Sequence, residues 1–339
     1  MLSRCHHRHA PDPSRVKPRT LTCVKASKSQ PVPPIGTVAA AVLFAVAAIW
    51  LALQLMAMRT LVAGAVLVDP AEVVNLILGL SGLVVGVIFA GGVAGVAVAT
   101  GGRDSIGFLR SLPKPLTAVL GGLCVSLVMA VAGYFTFVES PALGLLIGGV
   151  AGVAGLLGGS LATIRSSHLV AAGLTGTAVL LVVFFLRGYF TPGILESLGR
   201  GISAYRTLTI VGGLVAGICV GVAAYLYLRF HPSRTGLYGY ILAGALPGIL
   251  WLAGELITQV AATQLATPTT EGEINLDVLS LQLSAQSQFD GGLTALFAGA
   301  TTALLAFGFL TPRQKRSATS GTSGAVGNGG GGKSADKAR

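Results

Sequence analysis

Between Ile35 and Leu310 the chain consists of apolar, glycine-rich segments separated by short polar connections. Each segment is roughly 20 residues long, which at about 1.5 Å of helix rise per residue matches a hydrocarbon core of about 30 Å. Backbone groups that face lipid must be paired within their own segment, and the segments lack the alternating pattern of barrel strands. The pattern therefore predicts an all-α, polytopic transmembrane helix bundle.

About eight spans are predicted, with a domain boundary at each end of the bundle. Residues 1–34 form a basic N-terminal tail and residues 311–339 a Ser/Gly-rich basic C-terminal tail, both predicted to be disordered, and residues 35–310 form the transmembrane domain. The predicted spans are Ile35 to Met58, Ala71 to Ala99, Leu116 to Phe137, Ala142 to Ile164, Leu169 to Leu186, Thr207 to Leu228, Leu237 to Gln259, and Leu293 to Leu310.

The basic residues predict the orientation of these spans. If both tails are cytoplasmic, 19 of the 23 Lys and Arg residues lie on the inner side. The outer side then has only four, which are Arg59, Arg187, Arg200 and Arg206. Inner loops of membrane proteins carry this excess of positive charge. We therefore predict an even number of spans with both termini in the cytoplasm.

Composition supports a membrane location and argues against nucleic acid as a partner. The chain is 53% hydrophobic and 10% charged, whereas about a quarter of residues are charged in soluble domains. The net charge of +11 comes mainly from the tails and the inner loops, and no basic face is interleaved with aromatic residues. The predicted partner is the lipid bilayer, with other membrane proteins or further copies of the chain as alternatives.

The tails contain three patterns that resemble signals. The Arg/Ser-rich, acid-poor leader is typical of an organellar transit peptide, although a disordered cytoplasmic tail at the cell membrane is the favoured interpretation. The cluster Cys5, His6, His7 and His9 lacks a folded frame, so no metal site is predicted. Residues Gly327 to Ser334 satisfy GxxxxGK[ST] without the strand and helix that phosphate binding requires. No cofactor is predicted.

Two predicted outer connections are long enough to have structure of their own. Between the fifth and sixth spans, apolar residues recur at helical spacing, which suits either a short interfacial helix or an ordinary connector; they are Ile194, Leu195, Leu198, Ile202 and Tyr205. In the second connection, Thr267 to Gly292, leucines occur at helical spacing at 276, 279 and 283, and at strand spacing at 279, 281 and 283. The pattern leaves helix and strand open.

Glycines at four-residue spacing predict where helices pack together. In lipid no hydrophobic force joins helices, and small residues let backbones approach closely. Ala303 is expected on a lipid face. The predicted packing glycines are Gly82, Gly86, Gly91 and Gly95 in the second span, Gly144, Gly148 and Gly152 in the fourth, Gly213, Gly217 and Gly221 in the sixth, and Gly244 and Gly248 in the seventh.

Glu255 is the one ionisable residue predicted inside a span. A carboxyl group within the bilayer is costly and commonly serves proton or cation coupling. If its helix ends near Gln259 it reaches the outer interface, and if the helix continues to Leu265 it lies about 15 Å deeper and needs a partner. Pro247 is a candidate gate or a simple kink. Gln54 and Asn75 are further polar candidates, favoured as interhelical hydrogen bonds.

Three function classes fit these residues. A membrane scaffold or assembly factor needs only an apolar bundle with a basic inner face, and it is the favoured interpretation. The alternative is a small-solute or ion transporter, with or without proton coupling, whose cavity lies among the second, fourth, sixth and seventh helices. The third is a glycosyl or lipid-carrier transferase with Asp69 or Glu72 as its acid. No catalytic motif is present, so no catalytic residue is predicted.

Overall fold

A computed structural model describes most of the transmembrane region. The described residues are 37–64, 70–99, 111–137, 141–164, 167–198, 202–231, 236–265 and 276–310. Within these ranges the structure has eight long helices and no strand. All eight are long and apolar enough to cross a membrane, so the chain is a multi-pass membrane protein as the hydrophobic pattern predicted.

The helices are named here in chain order. Their bounds are α1 Thr37–Gly64, α2 Pro70–Ala97, α3 Lys114–Thr136, α4 Pro141–Leu161, α5 Ser167–Leu198, α6 Ile202–Phe230, α7 Leu237–Leu265 and α8 Leu276–Leu310. The two predicted tails, the phosphate-loop pattern and the Cys/His cluster lie outside the described residues. Which end of the bundle faces the cytoplasm stays a prediction.

Two helices are much longer than the predicted spans. The α5 helix continues to Leu198, and α6 begins at Ile202, so the described part of the first outer connection contains no separate interfacial helix. Neither of the two alternatives that the sequence left open, a short interfacial helix or an ordinary connector, describes these apolar residues, because they belong to the ends of α5 and α6. The α8 helix begins at Leu276, which settles the second connection for residues 276–292 as helix rather than strand.

The α2 helix occupies the centre of the bundle. In its span Gly79–Ala97, 83% of the residues are buried, compared with 22% for α1 and 17% for α8. Residues from every side of the helix are inaccessible; they are Leu83, Val84, Val85, Val87, Ile88 and Phe89. A helix that is apolar all round is expected to be surrounded by others.

Glycines bring α4 into close contact with both α2 and α3. A Cβ placed on Gly91 would lie 2.6 Å from the carbonyl oxygen of Gly155, and one on Gly95 would lie 2.9 Å from that of Ala118. Gly122 of α3 faces the same part of α4, since its Cβ would lie 2.8 Å from the Cα of Gly159. Such separations leave no room for a side chain, so these three helices form one tight unit.

The glycine row of α4 contributes unevenly to that unit. A Cβ on Gly144 or Gly148 would lie 3.4 Å from the nearest atom of α3, an ordinary van der Waals distance. A Cβ on Gly152 would meet no atom within 4 Å. Gly152 therefore lies on an open side of α4, because four residues span slightly more than one helical turn and the row rotates away from α3.

A second tight unit consists of α6, α7 and α8. Cβ atoms on Gly213, Gly217 and Gly221 of α6 would each lie 2.6 Å from a backbone oxygen of α8. From α7, a Cβ on Gly244 would lie 2.5 Å from the carbonyl oxygen of Gly299, and one on Gly248 would lie 2.5 Å from the Cα of Leu296. The α8 helix is thus held between α6 and α7.

The expectation that Ala303 faces lipid was wrong. Ala303 is fully buried, and a Cβ placed on Gly244 would lie 2.8 Å from the Cβ of Ala303. The reason is that the glycine rows of α6 and α7 need small partners, and α8 supplies them at Gly299 and Ala303. Lipid-facing positions of α8 are instead occupied by large apolar residues such as Leu305 and Phe309.

The two units meet where α7 contacts α2. A Cβ on Gly254 would lie 2.6 Å from Val85 Cγ2, so the absence of a side chain at Gly254 brings the helices together. The α1 helix packs on the other side of α2, where the Trp50 ring lies against Gly86 and Nε1 of Trp50 donates to the carbonyl oxygen of Gly82 over 3.0 Å. Two buried polar residues, Ser81 of α2 and Glu255 of α7, meet where these two helices are in contact.

Candidate functional site

Glu255 is buried at the junction of α7 and α2. Only 3% of the residue is exposed, and α7 continues for ten residues beyond it to Leu265, which is about 15 Å of helix. The deeper of the two positions that the sequence left open is therefore the one observed. A polar group at such a position needs hydrogen-bond partners inside the protein.

Two side chains supply those partners. The Ser81 hydroxyl of α2 donates to Oε1 of Glu255, and Nε1 of Trp251 donates to the same oxygen over 3.3 Å. Ser81 is 8% exposed and Trp251 is 1% exposed. Trp251 precedes Glu255 by four residues, so the two side chains lie on the same face of α7. The carboxyl group is thus tied both to its own helix and to the central helix of the bundle.

Aromatic packing fixes the position of the Trp251 indole. The ring of Phe184 from α5 meets it edge to face, with ring centroids 4.5 Å apart. Glycine in α8 makes room on another side, because a Cβ on Gly291 would lie 3.2 Å from Trp251 Cη2. Edge-to-face contact stabilises such a pair beyond the area it buries. The donor to Glu255 is therefore held by three helices.

A polar cavity lies directly beside this hydrogen-bonded group. Its volume is about 270 Å³. Ser81 and Trp251 line it, so the two donors to Glu255 separate the carboxyl group from the cavity. The remaining lining residues are Trp50, Gln54, Gly79, Gly82, Phe184, Arg187, Gly188, Thr191 and Gln288.

The cavity is formed by five helices. Its walls come from α1, α2, α5, α7 and α8, where the sequence analysis expected α2, α4, α6 and α7. Its lining residues lie towards the ends at which α1 and α5 finish and α2 and α8 begin. The glycine rows of α4 and α6 pack against neighbouring helices instead, and helices that pack this closely leave no space for a cavity between them.

Among the described residues that line the cavity, Arg187 has the one charged side chain. It lies in α5 within the span His168–Thr191, although the sequence analysis assigned it to the outer connection. Its Nη2 donates to Oγ1 of Thr209 on α6 over 2.8 Å. Gly212, one turn further along α6, accommodates the side chain: a Cβ there would lie 3.3 Å from Arg187 Cδ.

A second arginine near the same end of the bundle has a different environment. Arg206 lies 3.9 Å from Asp290 of α8, and its side chain is 65% exposed. A pair as exposed as this one contributes little to stability. In contrast, none of the Asp and Glu side chains that the structure describes lies within ion-pair distance of Arg187.

The structure separates the other predicted candidates. Gln54 lines the cavity and lies beside Gly82, whose Cβ would be 3.1 Å from Gln54 Nε2. Pro247 lies inside α7, which is continuous through it, and packs against Gly176 of α5 at 3.0 Å from a Cβ there. Asn75 and Glu72 are within α2, but their side chains are not described, and Asp69 lies outside the described residues.

Sequence reasoning missed Ser81, Trp251, Arg187 and Gln288 as site residues. Ser81 and Trp251 stand in apolar segments where one hydroxyl or indole gives no distinctive signal. Arg187 and Gln288 were assigned to loops because apolar runs end near them, whereas the helices continue past both. The available signal was the four-residue spacing of Trp251 and Glu255, which places a donor next to an acid on one helix face.

Comparisons with known proteins found no match to this chain. No family model matches the chain, and neither a curated protein nor a solved structure matches it. Evidence for the function therefore comes from the buried carboxyl group of Glu255, the cavity beside it and Arg187.

Proposed function

We propose that the protein is a membrane transporter that takes a small polar solute into the cavity and couples its movement to protonation of Glu255. The observation that carries the proposal is the arrangement of Ser81 and Trp251, each of which lines the cavity and donates to the same carboxylate oxygen. A buried ionisable residue facing a cavity within a membrane bundle is typical of proton relays.

Protonation of Glu255 would alter the cavity wall. An ionised carboxylate only accepts hydrogen bonds, so both donors point at it; a protonated carboxyl group has an O–H of its own to donate. A hydroxyl can reverse its role from donor to acceptor, whereas an indole N–H cannot. Ser81 is therefore suited to relay a proton between the cavity and Glu255, while Trp251 responds to the charge on the carboxyl group.

The scaffold function that the sequence favoured gains no comparable support. A scaffold needs no polar cavity, and buried polar groups reduce stability unless every one of them is paired. The transferase alternative rests on Asp69 and Glu72, for which no side chain is described. Residence in the cell membrane with both termini cytoplasmic is part of the proposal, and it would place the cavity in the outer half of the bilayer.

The proposal is tested by following the carboxyl group directly. Difference infrared spectra of the full-length protein in lipid, recorded across a pH titration, should contain a protonated carboxyl C=O band that titrates and is absent from Glu255→Gln. Asp290→Asn, which alters the half-buried partner of the exposed Arg206, serves as the control and should retain the band. Identical titration of the wild type and Glu255→Gln would contradict proton exchange at this residue.

A further inference from the structure

Arg187 identifies the chemical class of the solute, on the assumption that the proposed function holds. We propose that the cavity binds the carboxylate of a small organic acid through Arg187, with the neutral polar residues of the wall contacting the rest of the molecule. A transporter built in this way would carry a monocarboxylate together with a proton, so that the pair crosses without net charge.

The charge of the cavity favours an anionic solute. Arg187 is partly buried inside the bundle, and the described residues of the cavity wall include no Asp or Glu. Glu255 lies behind the wall, and its Oε1 accepts from Ser81 and Trp251. A guanidinium in a low-dielectric site is stabilised by an anion that enters with the solute. The cavity is therefore matched to negative rather than positive charge.

The geometry of the guanidinium narrows the choice of anion. Its bond to Thr209 uses one of five N–H donors and fixes the plane of the group against α6. Gly212 lets Nε and Nη1 lie close to the α6 backbone, at 3.6 and 3.7 Å from the position of a Cβ. A planar, oriented guanidinium matches the two oxygens of a carboxylate, which accept parallel hydrogen bonds.

The other residues that line the cavity indicate the chemistry of the rest of the solute. Gln54, Gln288 and Thr191 offer both donors and acceptors without charge. Trp50 uses its N–H on the carbonyl oxygen of Gly82, so it presents ring surface. A volume of about 270 Å³ admits a short-chain acid with a hydroxyl or keto group. A zwitterionic amino acid fits less well, because its ammonium group would lie in the same cavity as Arg187 without a carboxylate in the wall.

Binding of lactate to the purified full-length protein in lipid nanodiscs tests the inference. Isothermal calorimetry should detect binding of lactate, and it should bind more tightly than lactamide, which has the same size and hydroxyl group but no charge, and more tightly than alanine. Because a guanidinium forms charge-assisted hydrogen bonds with a carboxylate, Arg187→Gln should weaken the binding of lactate by at least about tenfold. The binding of lactamide should be unchanged. Arg206→Gln, at the exposed arginine, is the matched control and should have no effect.

A second variant keeps the test decisive if Arg187→Gln fails to fold. Gly212→Ala retains the arginine but displaces its side chain, and it should also weaken lactate binding selectively. Equal affinity of the wild type for lactate and lactamide, absence of lactate binding, or equal losses in Arg187→Gln and Arg206→Gln would each overturn the inference. Glu255→Gln should keep the preference for lactate, so a failure of proton coupling is distinguishable from a failure of carboxylate recognition.

Discussion

At Glu255, hydrogen bonds from Ser81 and Trp251 compensate for the water that the carboxyl group loses in the bundle. The two donors come from different helices, so the carboxyl group also links α7 to α2. Unmade hydrogen bonds to a buried charged or polar group are more costly than the net gain from making them. Stability at this site should therefore be sensitive to each donor.

Removal of the Ser81 hydroxyl tests that sensitivity. Ser81→Ala should lower the free energy of unfolding by about 1–3 kcal/mol, because the buried carboxyl group of Glu255 loses one of its two hydrogen-bond donors. The change is measured by thermal unfolding in detergent, with size-exclusion chromatography as the readout of the protein that remains folded. Ser197→Ala is the matched control, since that exposed hydroxyl donates to the Ile194 carbonyl within its own helix. Equal melting temperatures for the two variants would contradict the role assigned to Ser81.

A double-mutant cycle isolates the pair itself. If the Ser81 hydroxyl acts through Glu255, Ser81→Ala should be much less destabilising in a Glu255→Gln background, where the partner is a neutral amide. The interaction energy should fall within the range of about 0.5–3 kcal/mol seen for residues in contact. Additive losses from the two substitutions would mean that Ser81 stabilises α2 independently of the carboxyl group.

Among the helices, glycine determines which pairs approach closely. At Gly217 the backbone of α8 occupies the space of a side chain, whereas Gly152 faces open space on α4. The two positions have the same residue type in similar apolar sequences, so their environments alone should determine their tolerance. Lipid contributes no hydrophobic attraction between helices, and close van der Waals contact has to replace it.

Substitution by alanine separates the two positions. Gly217→Ala should destabilise the protein by about 1–3 kcal/mol, because the new methyl group would meet the Ala295 carbonyl oxygen at 2.6 Å and the helices would have to separate. Gly152→Ala should be neutral or slightly stabilising, since alanine is the better helix former. The melting temperatures of the variants in detergent provide the comparison. A larger loss at Gly152 than at Gly217 would be incompatible with the observed packing.

The helices and their number follow from apolar length, but their pairing does not. Several spans have the sequence of a glycine-rich helix. The spacing of Gly213, Gly217 and Gly221 does not indicate that these glycines pack against α8 rather than α2 or α4. Helix ends were also unpredictable at Arg187 and Gln288, because neighbouring helices stabilise polar turns that would end a span in isolation. The cavity depends on both features, so of the four helices expected around it only α2 and α7 contribute residues to the described lining.

Across the whole molecule, two glycine-packed units meet at the seam between α2 and α7. In each unit the last helix lies between two others: α4 between α2 and α3, and α8 between α6 and α7. Glu255 and Ser81 lie on opposite sides of the seam and bond across it. Under the proposed function, a change of protonation at the seam would act on the contact between the two glycine-packed units, and contacts between such units move in alternating access.

The predicted orientation can be measured on intact cells. In a variant with all four native cysteines replaced, a single cysteine at Thr270 should react with an impermeant thiol reagent from outside. A cysteine at Ser317 should react only after permeabilisation, because the positive-inside rule predicts that the C-terminal tail is cytoplasmic. The reverse pattern would invert the bundle and place the cavity on the cytoplasmic side.

The most direct test of coupled transport is proton entry driven by lactate in proteoliposomes that contain a pH-sensitive dye. Reconstituted wild-type protein should acidify the lumen when lactate is added outside, whereas lactamide should have no effect. Glu255→Gln should still prefer lactate to lactamide but move no protons. Absence of acidification by the wild type, or equal acidification by Glu255→Gln, would contradict the proposal that Glu255 couples solute movement to protons.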